Sequence, residues 1–216
     1  MLNFGSYKIA RFLPNRVITT KGKSKERVLY LTFDDGPNPD FTLKIADLLQ
    51  RYSAQGSFFC IGRNIAKHPQ IAQSLVEKGH LIANHSNTHS AFVKQSLASQ
   101  LNEANACQRE IENIDPDNIK AFRAPQGLLS FPLLTKLLAD KWRLVHWSYD
   151  SKDYQHKPFE EQKKIFDTRP VSNGEILLFH DDNQLAVDLL EYLLPQWQQQ
   201  GYVFHTVAGL IGGKSE

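Results

Sequence analysis

From Val28 onward, short apolar runs alternate with amphipathic stretches of helical period. This alternation limits the possible folds more than any other feature of the chain. The apolar runs lie at residues 28–33, 57–61, 80–84, 121–125, 144–149, 175–179 and 202–207, and each reads as a buried strand. Helical patterns lie between them: Leu43 to Leu49 with Asp40 as its cap, Pro69 to Val76 ended by Gly79, Ser96 to Ile114, Leu133 to Leu138 capped by Ser130, Glu160 to Thr168, and Leu185 to Gln199. Strands and helices in strict turn, with short connections, make a parallel α/β sheet. Seven such strands suit a barrel or strongly curled sheet, and an open doubly wound sheet fits the same spacing. No internal repeat, low-complexity tract or linker breaks the pattern, so residues 1–216 read as one domain with its core at about 28–207.

The first strand ends on Asp34 and Asp35, followed by Gly36-Pro37, a turn that cannot extend it. Adjacent carboxylates repel unless a cation or a shared proton compensates. Polar residues also follow the other strands: His85 and His89 the third, Arg123 the fourth, Asp153 the fifth, His180 the sixth. In a parallel barrel these positions share one rim, where active sites assemble. His85 and His89, four residues apart, can face one ion. With an aspartate they offer two nitrogens and one oxygen, which leaves coordination positions open, as in a catalytic rather than a structural metal site.

Thr32-Phe33-Asp34-Asp35-Gly36-Pro37 together with His85-Ser86-Asn87-Thr88-His89 resembles the polysaccharide deacetylase (NodB-homology, carbohydrate esterase) family. Three later stretches strengthen the resemblance: Arg123-Ala124-Pro125-Gln126-Gly127, Asp150-Ser151-Lys152-Asp153-Tyr154 and Leu178-Phe179-His180. It spans nearly the whole chain. It implies a distorted (β/α) barrel of about seven parallel strands and metal-dependent removal of N-acetyl groups from amino sugars of a polysaccharide or glycoconjugate. Asp35, His85 and His89 would bind the metal, most often Zn2+, with Co2+ or Ni2+ as alternatives. Asp34 would be the base that deprotonates a metal-bound water, held by Arg123. His180 would be the acid, oriented by Asp153. Pro125, Gln126, Tyr154 and Leu178 would line the substrate groove, with the Gln126 amide helping to stabilise the oxyanion. Two positions depart from the family pattern: Gln126 replaces an aromatic residue, which would weaken sugar stacking or exchange it for hydrogen bonds, and Tyr154 replaces a tryptophan, which alters the groove wall and acyl pocket.

The partner expected is an N-acetylated glycan. The formal charge of +2, from 25 basic and 23 acidic residues, gives no nucleic-acid footprint. The one basic cluster, Lys21 to Arg27, reads as a solvated connector or a weak contact with an anionic surface. Cys60 and Cys107 read as small buried hydrophobes rather than a disulfide. No apolar run is long enough for a spanning helix. Lys8 and Arg11 interrupt the N-terminal stretch, so a secretory leader is not seen and a cytoplasmic location is expected. His68, His80 and His156 read as surface; His146 and His205 as core or groove; Trp142 and Trp197 as packing; Trp147 and Tyr149 as packing or groove wall; Asp181 and Asp182 as a loop and helix-capping pair or, less favoured, a substrate contact. Two rival functions remain at this level. One is hydrolysis of a small cyclic amide or formamide on the same scaffold, and the other is a glycan-binding module without catalysis.

Overall fold

The computed structural model describes residues 3–4, 13–90 and 92–212. Most of the N-terminal stretch in which no leader was read lies outside them. An eight-stranded sheet carries the fold. Its strands, in chain order, are β1 (Val28–Asp34), β2 (Gly56–Cys60), β3 (Leu81–Asn84), β4 (Ala121–Phe122), β5 (Arg143–Leu144), β6 (Tyr149–Asp150), β7 (Ile176–His180) and β8 (Val203–Phe204). The spatial order is β5-β4-β3-β2-β1-β7-β6, with β8 paired to the start of β1, and every pairing is parallel. Helices α1 (Thr42–Arg51), α2 (Gly62–Lys67), α3 (Pro69–Glu77), α4 (Leu97–Ile114), α5 (Phe131–Ala139), α6 (Phe159–Thr168), α7 (Gln184–Gln199) and α8 (Ala208–Ile211) complete it. This is the distorted (β/α) barrel that the alternation and the motifs imply, rather than an open doubly wound sheet. No described helix is long and apolar enough to cross a membrane.

Successive strand residues point to opposite faces, and here the two faces have separate cores. Leu29, Leu31 and Phe33 of β1 pack with Phe58, Cys60, Ile82, Leu177, Phe179 and the apolar sides of α1 and α7. Val28 and Tyr30 pack with Phe59, Leu81, Ala83, Ala121, Ile176 and Leu178 in the lumen of the curled sheet. Val207 and Ile211 join the lumen cluster, and the Val207 N–H donates to Ser57 Oγ at 3.0 Å. The face opposite the helices is therefore apolar through its lower layers.

The sequence pattern fails instructively at one strand. Residues 144–149, read as one, are two short strands on opposite edges of the sheet, β5 and β6. Between these edges runs the segment before β1. Thr19 donates its N–H to Leu144 O at 2.8 Å and accepts from His146 N, while Gly22 and Gly174 are joined by a 2.7 Å bond from Gly22 N to Gly174 O. Lys21, in the basic cluster, bridges Glu175 through the backbone and bonds Ser172 through Nζ. Arg27 lies 4.5 Å over the Tyr202 ring. The cluster is thus partly tied into the structure.

Smaller differences have local causes. Asp40 does not cap α1: its N–H bonds Asn38 Oδ1, and Thr42 Oγ1 accepts from Asn38 N at 2.7 Å. Helix α2 begins at Gly62, where the sequence pattern marks only the end of a strand. Ser130 caps α5 as expected, and Ser96, expected as the first residue of its helix, caps α4. Cys60 and Cys107 are free and buried. His80 is buried rather than surface, since its Nδ1 accepts from Gly56 N at 3.1 Å.

Gly174 has φ 79°, and a Cβ there would lie 2.2 Å from Gly22 O. Gly174→Ala should therefore cost more than about 1 kcal/mol. The expected readout is a lower denaturant midpoint with an unchanged m-value; an unchanged midpoint would show that the closing segment yields freely.

Candidate active site

The residues above the apolar layers of the lumen are polar, and strand parity selects them. Val28, Tyr30, Thr32 and Asp34 share one face of β1; Ile176, Leu178 and His180 share the matching face of β7; Ala121 and Arg123 follow the same rule on β4, and Leu81, Ala83 and His85 on β3. The register sets Asp34 directly beside His180, adjacent parallel strands being about 4.8 Å apart.

Asp34 and Arg123 form the buried centre, at 3% and 1% exposure. Arg123 Nη1 donates to Asp34 Oδ1 at 2.6 Å and to Thr32 Oγ1 at 2.8 Å. Its guanidinium lies 4.0 Å over the Phe59 ring and 5.6 Å over Trp147. Burial alone would raise the Asp34 pKa, but the charge and hydrogen bond of Arg123, helped by the neighbouring histidines, outweigh it and hold the carboxyl below its ordinary value. Asp34 is therefore ionised at neutral pH.

Asp35 lies just beyond the strand with φ 80°, a left-handed conformation that costs a non-glycine residue energy. Asn64 Nδ2 of α2 donates to Asp35 O at 2.9 Å. Asp35 Oδ1 lies 3.4 Å from His89 Nε2 and 3.7 Å from His85 Nε2. The ligand atoms of Asp35, His85 and His89 all fall within 4.8 Å of one another. A tetrahedral ion with ligands at about 2.0–2.2 Å separates them by about 3.3–3.6 Å, so the set fits one. Among the described residues, Asp35 Oδ1 is buried and has no hydrogen-bond donor. Such an atom calls for a partner, and an ion held with His85 and His89 would supply one.

The state of His85 suits an ion at that place. His85 Nδ1 lies 2.8 Å from Arg123 O. A carbonyl only accepts, so Nδ1 carries the proton and Nε2 turns its lone pair toward Asp35. Burial lowers the His85 pKa, and His89 adds to this against Asp34 and Asp35; the ring is neutral, as a ligand must be. The turn from His85 to His89 is neither helix nor strand. Ser86 and His89 have φ of 67° and 53°. The first amides of α2, Gly62 and Arg63, donate to Ser86 O and Asn87 O. Asn84 Oδ1 accepts from Ser86 N at 2.9 Å, and Glu103 of α4 accepts from Thr88 N and Oγ1.

His180 is in the opposite state. Its Nδ1 lies 2.8 Å from Asp153 Oδ1, and its N–H donates to Asp153 Oδ2 at 2.8 Å. Burial alone would lower the ring's pKa; the bond and charge of Asp153, with Asp34 and Asp35, push it up to about 9. Asp153 is fully buried and also accepts from Ser151 Oγ and Asn183 Nδ2.

A cleft of about 360 Å³ opens over these groups and is also lined by Gln126, Trp147, Asp150, Tyr154 and Leu178. Gln126, with φ 57°, sits at a turn. Pro125 does not reach the cleft; it is buried as the first residue of that turn. Tyr154 packs its ring edge-on to His180 at 5.4 Å. Tyr149 belongs to the core, at 0% exposure.

The family model described as polysaccharide deacetylase matches residues 21–143. The chain belongs to the polysaccharide deacetylase family. Among relatives of this deacetylase, a peptidoglycan-N-acetylglucosamine deacetylase of Bacillus cereus is 29% identical over 213 residues, covering 92% of this chain and 94% of that protein. A chitooligosaccharide deacetylase of Sinorhizobium fredii is 32% identical over 198 residues, covering 83% and 89%. The crystal structure of the Bc1960 peptidoglycan N-acetylglucosamine deacetylase, in complex with 4-naphthalen-1-yl-N-oxidanyl-benzamide, matches with a TM-score of 0.85 at 25% identity, covering 93% of this chain and 95% of that one.

Sequence reasoning missed the residues that hold this deacetylase's site in shape: Asn64, Asn84, Glu103 and Asp181. Asp181 and Asp182 are not a capping pair, for Asn183 caps α7. Asp181 is fully buried, accepts from Thr42 Oγ1, and lies so close to Gly36 that a Cβ there would fall 2.0 Å from its Oδ2. Burial, with the charges of Asp35 and Asp182, pushes its pKa up to about 7 despite the Thr42 bond. Asn84 had one available signal, an amide on the helix-facing side of a buried strand.

Arg123→Met should destabilise the fold by about 3–5 kcal/mol, because it strands the Asp34 carboxylate in the lumen. Calorimetry should show a lower Tm, with much of the loss recovered in Arg123→Met/Asp34→Asn. Equal Tm values for the single and double variants would show that the pair does not couple.

Proposed function

We propose that the chain is a divalent-metal-dependent hydrolase that removes N-acetyl groups from N-acetylglucosamine-type residues of a polysaccharide or glycoconjugate. The observation that carries this reading is a pair of histidines in opposite states across one cleft. His85 is neutral, facing a donor-less Asp35 oxygen, and His180 is raised to about 9, beside an ionised Asp34. Relatives named for N-acetylglucosamine and chitooligosaccharide deacetylation support the same substrate class.

Asp35, His85 and His89 would hold the ion, and their N2O donor set suits Zn2+, with Co2+ or Ni2+ as alternatives. A divalent ion there would supply Lewis acidity, lowering the pKa of a water beside it toward neutrality. Asp34 accepts the proton of the attacking water. A carboxyl held below its ordinary value takes a proton readily only from an acidified donor, so this base and the ion are needed together. Arg123 fixes Asp34 and keeps it ionised. His180 gives its Nε2 proton to the amide nitrogen as the C–N bond breaks, releasing acetate and the sugar amine. Asp153 keeps Nδ1 protonated and stabilises the imidazolium. Tyr154, Leu178 and Gln126 form the walls that seat the acyl group and the sugar.

Asp34→Asn should retain its metal by elemental analysis and lose acetate release from N-acetylated oligosaccharides by about 10²–10⁴-fold. Turnover of cyclic amides or formamides, with none of these oligosaccharides, would replace the reading. The pH profile tests the acid. Raised above its ordinary value, His180 stays protonated at neutral pH and loses its proton as pH climbs toward 9, and a bound cation brings that loss to lower pH. The alkaline limb of kcat/KM should therefore move to lower pH again in Asp153→Asn, which removes the anion favouring the imidazolium. A limb that stays in place would remove His180 from the acid role.

A further inference from the structure

We infer that Asp150 makes the cleft discriminate by charge, favouring N-acetyl amino sugars without an acidic substituent over those that carry a carboxylate. This rests on the deacetylase reading above and names the substrate class within it.

The inference begins with an inventory of charge around the cleft. Asp34 is neutralised by Arg123 at 2.6 Å, and His180 by Asp153 at 2.8 Å. Asp35 faces two histidines and would be matched by the ion. Asp150 stands apart from these pairs. It lines the cleft, and its hydrogen-bond partners carry no charge: Oδ1 accepts from Lys152 N at 2.9 Å and Oδ2 lies 3.5 Å from Tyr154 Oη. Among the described residues, none that lines the cleft is a lysine or arginine. Lys152, two residues on, is exposed. Burial raises the Asp150 pKa, and Asp153 adds to this, while the Lys152 amide, His180 and Lys152 oppose.

The loop holds the carboxylate in place rather than leaving it to swing into solvent. Residues Tyr149–Asp150 pair with Leu177–Leu178 of β7, so Asp150 lies beside one wall of the acyl pocket. Lys152, with φ 57°, turns the chain there, and its amide fixes one carboxylate oxygen. Tyr154, 47% exposed, reaches the other. A sugar seated between Tyr154 and Leu178 meets this negative charge. A carboxylate on that sugar is repelled, whereas hydroxyls donate to it and the ammonium of an already deacetylated neighbour is attracted.

The test compares kcat/KM for tetra-N-acetylchitotetraose with two anionic oligomers of equal length, one oxidised at C6 to carboxylates and one carrying lactyl ethers at O3. Metal-loaded wild type and Asp150→Asn are measured, the amide being isosteric and still able to accept from Lys152 N. Wild type should prefer the uncharged oligomer. Asp150→Asn should narrow that preference by about fivefold for at least one anionic oligomer, and added salt should narrow it in wild type but not in the variant. A general loss of rate moves all substrates together and leaves the ratio intact. Unchanged ratios in the variant, with acetate still released, overturn the role of Asp150 alone. No acetate release by wild type from any of the oligomers overturns the deacetylase reading as well.

Discussion

The buried pair of Asp34 and Arg123 is the constraint around which the rest is arranged. A carboxylate at 3% exposure would take up a proton or unfold its surroundings unless a cation met it there. Arg123 meets it from across the lumen, on the far side of β2 and β3. The sheet must therefore curl for the pair to close. Phe59 and Trp147 then cover the guanidinium, and the Arg123 carbonyl fixes the tautomer of His85. One ion pair thus goes with the curl of the sheet, keeps Asp34 charged and, through the Arg123 carbonyl, sets which His85 nitrogen faces Asp35.

The same side chain, histidine, is put to two uses by two environments. His85 has a backbone carbonyl behind it and burial around it, so it stays neutral. His180 has a fully buried carboxylate behind it, so it is driven toward the cation. The separation of roles needs no difference in sequence type, only a difference in what accepts the Nδ1 proton. Under the proposed mechanism this separation is what polysaccharide deacetylation most needs, since a ligand would offer a lone pair and an acid a proton at the same pH.

The turns that carry Asp35, His89 and Gln126 are left-handed at those residues, and such conformations persist only where the surroundings enforce them. The enforcement comes from outside the motifs. Asn64 and the amides of α2 grip the Asp35 and His85–His89 turns, Glu103 reaches in from α4, and Asp181 with Thr42 packs beneath Gly36. The spacing of these residues in the sequence has no pattern that marks them.

The chain by itself determined which side chains face which way. Alternation along β1 and β7 puts Asp34 and His180 on the face opposite Phe33 and Phe179, because a strand has period two whatever it pairs with. The apolar runs and the Asp-Asp and His-x-x-x-His motifs made the parallel architecture and most of the site legible for the same reason: period and spacing are local. The tertiary structure decided what local pattern cannot express. It split residues 144–149 between two edges of the sheet, buried His80 and Asp181, and moved Pro125 out of the groove. It also brought Arg123 to Asp34 across two intervening strands. Those outcomes depend on register, curvature and closure, which are set by how distant segments fill one lumen.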